Sequence, residues 1–269
     1  MNTVIAAIDN SAAAGPVLDA ALALAPLFEG EVEALHVTEN GFTIARQAAA
    51  SARLPLRTMR GPTAESLVEA GAAEDVVALV VGTRGMPGGR YPAGRTALQV
   101  ITTLGKPLVM VPPASTGPHH LERVLVPLEG TAESAHTVRS IVEMAARLDL
   151  EVVVLHVATD GTIPRFEDQP HHETEAWALE FVARYAPSPT ARVRLELRAG
   201  VPGEEVVGVA RDVAADLVIL GWSQDLSPDR AQVVREVLGH SPAPVLLLPA
   251  AALSSADPVA AGRHTMGSR

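Results

Sequence analysis

A glycine-rich segment in the first half of the chain has the composition of a phosphate-binding turn. Residues 82–96 contain five glycines and three arginines and lead into a predicted helix. The backbone amides of such a turn, together with the positive end of the following helix, bind phosphate oxygens without a net charge on the protein. Glycine and proline clusters also occur in ordinary connections, so the segment predicts either a phosphate site or a plain flexible loop.

Asp9 and Val37 stand at the ends of two apolar runs that read as strands. In an open parallel sheet, ligands bind outside the carboxyl ends of the strands, and the glycine-rich segment follows a third such run. We therefore expect Asp9, Val37 and residues 82–96 at one edge of a sheet. Asp9-Asn10-Ser11 also has the residue types of a helix N-cap, so capping is the alternative role for Asp9.

Residues suited to covalent or metal chemistry do not form a recognisable set. The chain has no cysteine, which excludes disulfides, thiolate catalysis, Cys-ligated zinc and iron–sulfur clusters. No Ser–His–Asp set or carboxylate pair can be picked out, and Gly-x4-Gly-Lys-Ser/Thr is absent. His171-His172-Glu173 is a weak metal candidate without a third ligand spacing. We predict a protein that is not an enzyme, with no catalytic and no metal-binding residues.

The composition argues against nucleic acid and membrane partners. The chain carries 21 Lys and Arg against 31 Asp and Glu, a net charge of −10, whereas nucleic acid and anionic membranes attract clustered basic residues. No uncharged stretch reaches the roughly 20 residues that span a bilayer, and the first residues lack the basic region of a secretory signal. We therefore expect a soluble, cytoplasmic protein.

An internal repeat organises the chain. Val4–Ser11 matches Val124–Thr131, and Leu35–Val37 matches Leu155–Val157, in both cases 120 residues apart. Later segments match at spacings of 137 to 139, so the second copy holds about 19 extra residues between positions 157 and 200. The histidine that both copies carry at the second strand end is predicted to make structural hydrogen bonds.

Each copy alternates short apolar strands with helical stretches, which predicts parallel strands covered on both faces. The expected fold class is α/β, with two tandem flavodoxin-like or Rossmann-like domains, each a five-stranded parallel sheet with helices on both faces. The predicted boundaries are residues 1–113 for the first domain, 114–120 for a linker, 121–250 for the second domain and 251–269 for a disordered tail.

The last strand of each copy is predicted to join the two domains. Residues 108–111 and 245–248 can pair antiparallel about an internal pseudo-twofold axis, which would bury two exposed sheet edges. The chain would then be an intramolecular pseudo-dimer. Assembly of two chains into a further homodimer stays open.

Together these features resemble the universal stress protein family, in a tandem two-domain form. The shared pattern is an Asp that ends the first strand, Leu-His-Val that ends the second, Gly-x2-Gly-x9-Gly-Ser/Thr after the fourth, and a last strand similar to Pro-Val-x-Val-x-Pro. The resemblance covers residues 1–112 and 121–249. It implies the adenine nucleotide alpha hydrolase-like form of the predicted fold.

The resemblance also implies an adenine nucleotide site in the first half, with ATP as the first candidate and Mg²⁺ left open. In nucleotide-binding members of the family the Asp holds adenosine, the backbone at the Val contacts the base, and the glycine loop wraps the phosphates. Two registers fit the end of this loop, because either Gly94 or Arg95 takes the place of the third glycine. By position, these roles fall on Asp9, Val37, Gly82, Gly85, Gly94, Arg95 and Thr96.

The second half departs from the family pattern. Glu129 stands in the Asp position. Gly221 is followed by Trp222-Ser-Gln224, so the second glycine of the motif is missing. Ala231 and Gln232 take the positions that end the phosphate loop, and the segment is short. Side chains at positions that need close phosphate approach remove the reason for the loop. We therefore predict that the second half binds no ATP.

Three functions follow as hypotheses. The first is a non-catalytic stress-response module that binds ATP or a related nucleotide in the first half only. The second is a tandem stress protein without nucleotide that acts through protein–protein contacts, and the third is a very slow ATPase.

Overall fold

A computed structural model describes most of the chain, with gaps. The described residues are 1–38, 41–83, 93–113, 115, 117–118, 120–128, 141–158, 192–225 and 231–249. Residues 173–185, whose amphipathic pattern lies within the extra length of the second copy, most of the glycine-rich segment and the predicted tail at 251–269 lie outside them. Residues 1–113 are called the first half below, and residues 120–249 the second half.

The described residues form ten strands in one sheet. The order is β3-β2-β1-β4-β5-β10-β9-β6-β7-β8, and all neighbours are parallel except β5 and β10. The strands are β1 (Asn2–Ala7), β2 (Gly30–Val37), β3 (Leu56–Met59), β4 (Val76–Gly82), β5 (Leu108–Val111), β6 (Arg123–Leu128), β7 (Glu151–Ala158), β8 (Arg192–Ala199), β9 (Leu217–Trp222) and β10 (Val245–Pro249).

The two halves have equivalent strand orders, which are β3-β2-β1-β4-β5 in the first half and β8-β7-β6-β9-β10 in the second. This is the Rossmann-like order of a doubly wound sheet, so the predicted α/β class with parallel sheets is confirmed. The strand order reverses between β1 and β4. A crevice opens at such a reversal, because the connections leave in opposite directions on either side of it.

Helices cover both faces of the sheet. They are α1 (Ala14–Leu24), α2 (Thr43–Ser51), α3 (Thr63–Ala72), α4 (Arg95–Thr103), α5 (Pro202–Asp212) and α6 (Gln232–His240), and residues 141–147 are helical too. One buried cluster holds side chains of α3, α4, α5 and α6, and the other holds those of α1, α2 and residues 141–147. Each cluster contains residues of both halves, so the core is continuous along the whole sheet.

The first helix is shorter than the sequence predicts. The apolar pattern extends from Gly15 to Phe28, but α1 ends at Leu24 and a 3-10 turn follows at Ala25–Phe28. Pro26 explains the change, because a proline has no amide hydrogen to continue the α-helical hydrogen bonds.

The antiparallel pair of β5 and β10 joins the halves as the sequence predicts. Val245 pairs with Met110, Leu246 with Val109 and Leu247 with Leu108. All six side chains are buried. The pairing removes two apolar sheet edges from solvent, and edges of this kind otherwise recruit foreign strands.

The predicted linker is packed where it is described. Ser115 is buried, and its hydroxyl accepts a hydrogen bond from the Gly117 amide at 3.2 Å. Gly117 has a φ of 74° and lies so close to α1 that an added Cβ would be 2.9 Å from the Pro16 carbonyl oxygen. The connection therefore rests on the first helix at this point, which a Pro- and Gly-rich composition does not reveal.

Candidate functional site

A cleft of about 530 Å³ lies at the carboxyl ends of β1, β2 and β4, where the strand order reverses. Its volume is within the range of about 300 to 1,000 Å³ of small-molecule sites. Among the residues that line it are six of the seven predicted nucleotide contacts, namely Asp9, Val37, Gly82, Gly94, Arg95 and Thr96. The seventh, Gly85, lies outside the described residues.

One part of the cleft is apolar. Aliphatic side chains from five elements contribute to it, and they are Val17, Val37, Leu67, Val81 and Val100. These side chains also belong to the two core clusters, so their positions are fixed by the packing of the fold. A wall of this kind accommodates a planar ring through contact and the exclusion of water.

Three helices begin at the cleft. Ala13 is the N-cap of α1, Thr63 is the first residue of α3 and Gly94 is the N-cap of α4, and all three line it. The amides of a first helical turn have no partner within the helix, and the helix dipole places partial positive charge there. The cleft therefore favours an anionic group although the chain as a whole carries a net charge of −10.

Gly94 joins the end of β4 to the start of α4. Its amide donates to the Thr83 carbonyl oxygen at 2.7 Å, and its own carbonyl oxygen accepts from the Leu98 amide at 2.9 Å. Its φ is −68°, which any residue adopts, and an added Cβ would meet nothing closer than the Thr83 oxygen at 3.6 Å. The described surroundings do not themselves require a glycine here, so the missing side chain leaves space in the cleft.

Asp9 presents a carboxylate at the end of β1. Its Oδ1 accepts hydrogen bonds from the Ser11 amide at 3.1 Å and the Ser11 hydroxyl at 2.6 Å. Within the described residues both hydrogen bonds use Oδ1, so Oδ2 is open to a ligand. The N-cap interpretation of Asp9 is not what the structure contains, because α1 begins after Ala13 and has no side-chain cap.

The neighbouring Asn10 caps a different helix. Its Oδ1 accepts from the amides of Ile44 at 2.8 Å and Ala45 at 3.2 Å, in the first turn of α2. The cap is 34 residues away in sequence, so a local reading of Asp9-Asn10-Ser11 does not reveal it. Asn10 therefore fixes the start of α2 next to Ser11, which hydrogen-bonds to Asp9.

His36 has the structural role that the sequence predicts. It is buried, its Nδ1 lies 2.9 Å from the Ile8 carbonyl oxygen, and its Nε2 lies 3.2 Å from that of Gly41. The ring thereby connects β2 to the chain just before Asp9. His156 repeats the first contact less closely, at 3.4 Å from Nδ1 to the Leu128 carbonyl oxygen.

Sequence reasoning missed two threonines of the cleft. Thr83 is fully buried, and its amide donates to the Val111 carbonyl oxygen at 2.9 Å. Thr63 lies in the Gly-Pro-Thr-Ala-Glu segment that starts α3. The segment recurs in the second copy as Gly200-Val-Pro-Gly-Glu204, but Pro202 stands in the position of Thr63, so the repeat does not mark this threonine. Thr83 was hidden inside the glycine-rich stretch.

The second half carries a tryptophan where the first half has Thr83. Gly82 pairs with Val111 at the end of β4, and Gly221 with Leu248 at the end of β9, so Trp222 follows in the position of Thr83. The indole is buried in the same cluster as Ala231 and Val234. A large aromatic side chain thus occupies a position that borders the cleft in the first half.

Metal-binding and membrane-spanning features are absent from the described residues. No group of three or more His, Asp or Glu side chains there is placed to hold a metal ion. The weak candidate His171-His172-Glu173 is outside the described ranges. Among the described helices, none has the length and apolar character needed to cross a membrane.

Residues 120–249 match the model of the Universal stress protein family. This half of the chain is similar to a universal stress protein domain. A universal stress protein of Methanocaldococcus jannaschii is 22% identical over 144 residues, which are 49% of this chain and 84% of that protein. The sequence relationship to universal stress proteins therefore covers about half of the chain.

Solved structures resemble the chain over nearly its whole length. A protein of unknown function from Pseudomonas aeruginosa PAO1 is similar at a TM-score of 0.66 and 13% identity, covering 94% of each chain. A universal stress protein from Archaeoglobus fulgidus DSM 4304 gives a TM-score of 0.64 and 14% identity, with 93% of this chain and 98% of that one covered. At these identities the likeness is one of fold, and it extends over both halves.

Proposed function

We propose that this protein is a tandem universal stress protein whose first half binds an adenine nucleotide, with ATP as the first candidate. The observation that carries the proposal is the convergence of Asp9, Val37, Gly94 and Thr96 on the cleft at the strand-order reversal. These residues come from three places that are distant in sequence, namely the end of β1, the end of β2 and the start of α4. They are the ones to which the resemblance assigns nucleotide contacts.

The chemistry of the cleft fits each portion of such a ligand. The aliphatic wall around Val37 and Val100 takes the planar base, and Oδ2 of Asp9 accepts from a ribose hydroxyl. The first turn of α4, at Arg95 and Thr96, supplies amides to the phosphates, and the guanidinium of Arg95 adds positive charge. Gly94 as the N-cap favours the register in which it is the third glycine of the motif.

We also propose that the second half does not bind nucleotide. Trp222 stands in the position of Thr83, and Gln224 in that of Gly85, so larger side chains stand where the first copy has a threonine and a glycine. The domain boundaries near residues 113 and 120, a cytoplasmic location and the lack of catalysis belong to the same proposal. The match of residues 120–249 to the family supports the second boundary.

Isothermal titration with ATP tests the proposal directly. The expected result is saturable binding at one site per chain that is lost in Gly94→Val. Because the φ of Gly94 is ordinary and no described atom lies closer to its Cβ position than the Thr83 oxygen at 3.6 Å, this variant is expected to fold.

Gly208→Val is the matched control, since Gly208 lies in α5 and no atom of the described residues is within 4 Å of its Cβ position. It should bind ATP as the parent does. Absence of ATP binding by the parent protein, or undiminished binding by Gly94→Val, would contradict the proposal. If the parent binds no ATP, a tandem stress protein that acts through protein contacts becomes the better description. If Gly94→Val binds ATP undiminished, the nucleotide does not bind at the cleft beside Gly94.

A further inference from the structure

A side chain of the second half holds the end of a helix in the first half. The Nε2 of Gln224, two residues after β9, donates to the Leu104 carbonyl oxygen at 2.8 Å. Leu104 is the C-cap of α4. The last carbonyl groups of a helix have no partner within the helix, so this hydrogen bond satisfies one of them.

The helix held in this way is the one whose other end lines the cleft. Arg95, Thr96 and Val100 of α4 contribute to the cleft, and the Leu104 amide donates to the Val100 carbonyl oxygen at 2.9 Å. Leu104 itself is buried. It packs so closely on α3 that a Cβ at Gly71 would lie 3.1 Å from one of its methyl groups. A helix of nine residues moves as one body, so fixing its C-terminal end also fixes the amides at its N-terminal end.

The backbone at Gln224 indicates that the glutamine is present for its side chain. Its φ is 60°, in the left-handed region where glycine is favoured and other residues are disfavoured. In the repeat this is the position of Gly85, where the first copy has the expected glycine. A glycine would adopt the conformation more easily, but it could not reach Leu104. For the same reason Gly85 cannot make the symmetric side-chain bond, so this particular hydrogen bond has no equivalent at the matching position of the first half.

We propose that Gln224 is a positioning residue for the nucleotide cleft: the second half has replaced a phosphate-loop glycine by a side chain that holds α4 of the first half in its binding position. This inference rests on the proposed function of the cleft. It gives the second half a defined role without a ligand of its own.

Two variants and one control test the inference. Gln224→Glu keeps the size of the side chain but places an acceptor against the Leu104 carbonyl oxygen. Gln224→Gly removes the side chain and relieves the unfavourable φ, so it is expected to fold even if Gln224→Glu does not. Arg147→Gln is the control, because Arg147 also joins the halves, through Glu29 at 3.1 Å, but touches neither α4 nor the cleft.

The first measurement is hydrogen exchange in the absence of nucleotide. We expect faster exchange of the amides at the C-terminal end of α4, residues 101–104, in both Gln224 variants and unchanged exchange there in Arg147→Gln. The second is ATP titration, in which both Gln224 variants should bind about threefold to fivefold more weakly, the effect of losing one neutral hydrogen bond. Arg147→Gln should bind ATP as the parent does.

The two measurements separate this inference from the proposed function. If the parent protein binds no ATP, the proposed function fails, and with it the role of Gln224 in nucleotide binding, whereas the exchange data still show whether Gln224 holds α4. If the parent binds ATP and both Gln224 variants bind it equally well, the inference alone is wrong. Unchanged exchange along α4 in both variants overturns the inference whatever the titration gives.

Discussion

Gly203 of α5 lies so close to Glu236 of α6 that a Cβ at position 203 would be 2.7 Å from the Glu236 Cβ. This close approach packs the two helices together beside the cluster that contains Trp222. Gly203→Ala is therefore expected to lower the free energy of unfolding by about 1 to 3 kcal/mol, as overpacking typically does. Chemical denaturation measures the change.

Gly208 of the same helix provides the comparison for this prediction. An added Cβ there meets no atom of the described part of the chain within 4 Å, so Gly208→Ala should stabilise the protein by about 0.5 to 1 kcal/mol through helix propensity. Equal effects of the two substitutions would show that close helix packing is not the cause.

Removal of the Asn10 side chain is expected to destabilise α2 without loss of the cleft. Its Oδ1 accepts from the Ile44 and Ala45 amides, and replacing an N-cap oxygen by a methyl group costs about 1 kcal/mol. Asn10→Ala should therefore lower the free energy of unfolding by that amount. Asn10→Asp should keep most of the stabilisation, because the carboxylate also supplies a capping oxygen. An Asn10→Ala variant as stable as the parent in urea denaturation would show that the cap contributes little.

The carboxylate of Asp9 is expected to serve binding rather than stability. Asp9 is exposed, and within the described residues it hydrogen-bonds only to Ser11, so Asp9→Ala should change the free energy of unfolding by less than about 1 kcal/mol. The same variant should weaken ATP binding about tenfold, since it removes a charged acceptor from the cleft. Isothermal titration and thermal melting measure the two effects.

Ser11→Ala controls for the local hydrogen bonds, because it removes the hydroxyl that donates to Asp9 and leaves the carboxylate in place. It should bind ATP within about twofold of the parent. A Ser11→Ala variant that loses affinity as fully as Asp9→Ala would mean that the turn, and not the carboxylate, matters.

The stability of the second half should depend on the charge of Glu151. Burial alone would raise its pKa, but hydrogen bonds from Arg123 and Arg194, each at 2.8 Å, outweigh burial and lower the pKa below its usual value. A carboxylate with a lowered pKa stabilises the fold above the pKa of the unfolded chain, about 4.3, and that contribution is lost as pH falls through the lower folded value.

Glu151→Gln should therefore lower the free energy of unfolding by about 1 to 3 kcal/mol at pH 7, with a smaller difference from the parent at pH 3. Thermal melting across this pH range measures the effect. Glu31→Gln is the control, because Glu31 occupies the equivalent position in the first copy and is exposed. A difference between parent and Glu151→Gln that is the same at pH 3 and pH 7 would contradict the assignment.

The strands were predictable because each is a short, nearly continuous run of aliphatic residues between polar turns. Leu108–Val111 was predicted with its observed bounds, and its partner strand differs only in including Pro249. Positions in the cleft followed from the same pattern, since Asp9 and Val37 each come at the end of such a run. Helix ends were less predictable, as Pro26 shows, because they depend on which backbone hydrogen bonds can form.

Contacts between distant segments were not predictable. The cap that Asn10 provides for α2 and the bond from Gln224 to Leu104 join residues 34 and 120 positions apart. The local sequence marks Asn10 as a capping residue type but not the helix that it caps, and nothing near Gln224 marks its partner, since glutamine is an ordinary surface residue.

The sequence by itself determined the duplicated α/β unit, the apolar edge strands that join the copies, and the unequal glycine content of the two loops. These follow from local composition and periodicity, which act through burial and backbone freedom. Only the tertiary structure decided that one continuous core runs beneath both halves, that six predicted residues meet in one cleft, and that Gln224 reaches α4. Such relations depend on the register of the sheet and the packing of helices on it, which bring together residues that are far apart along the chain.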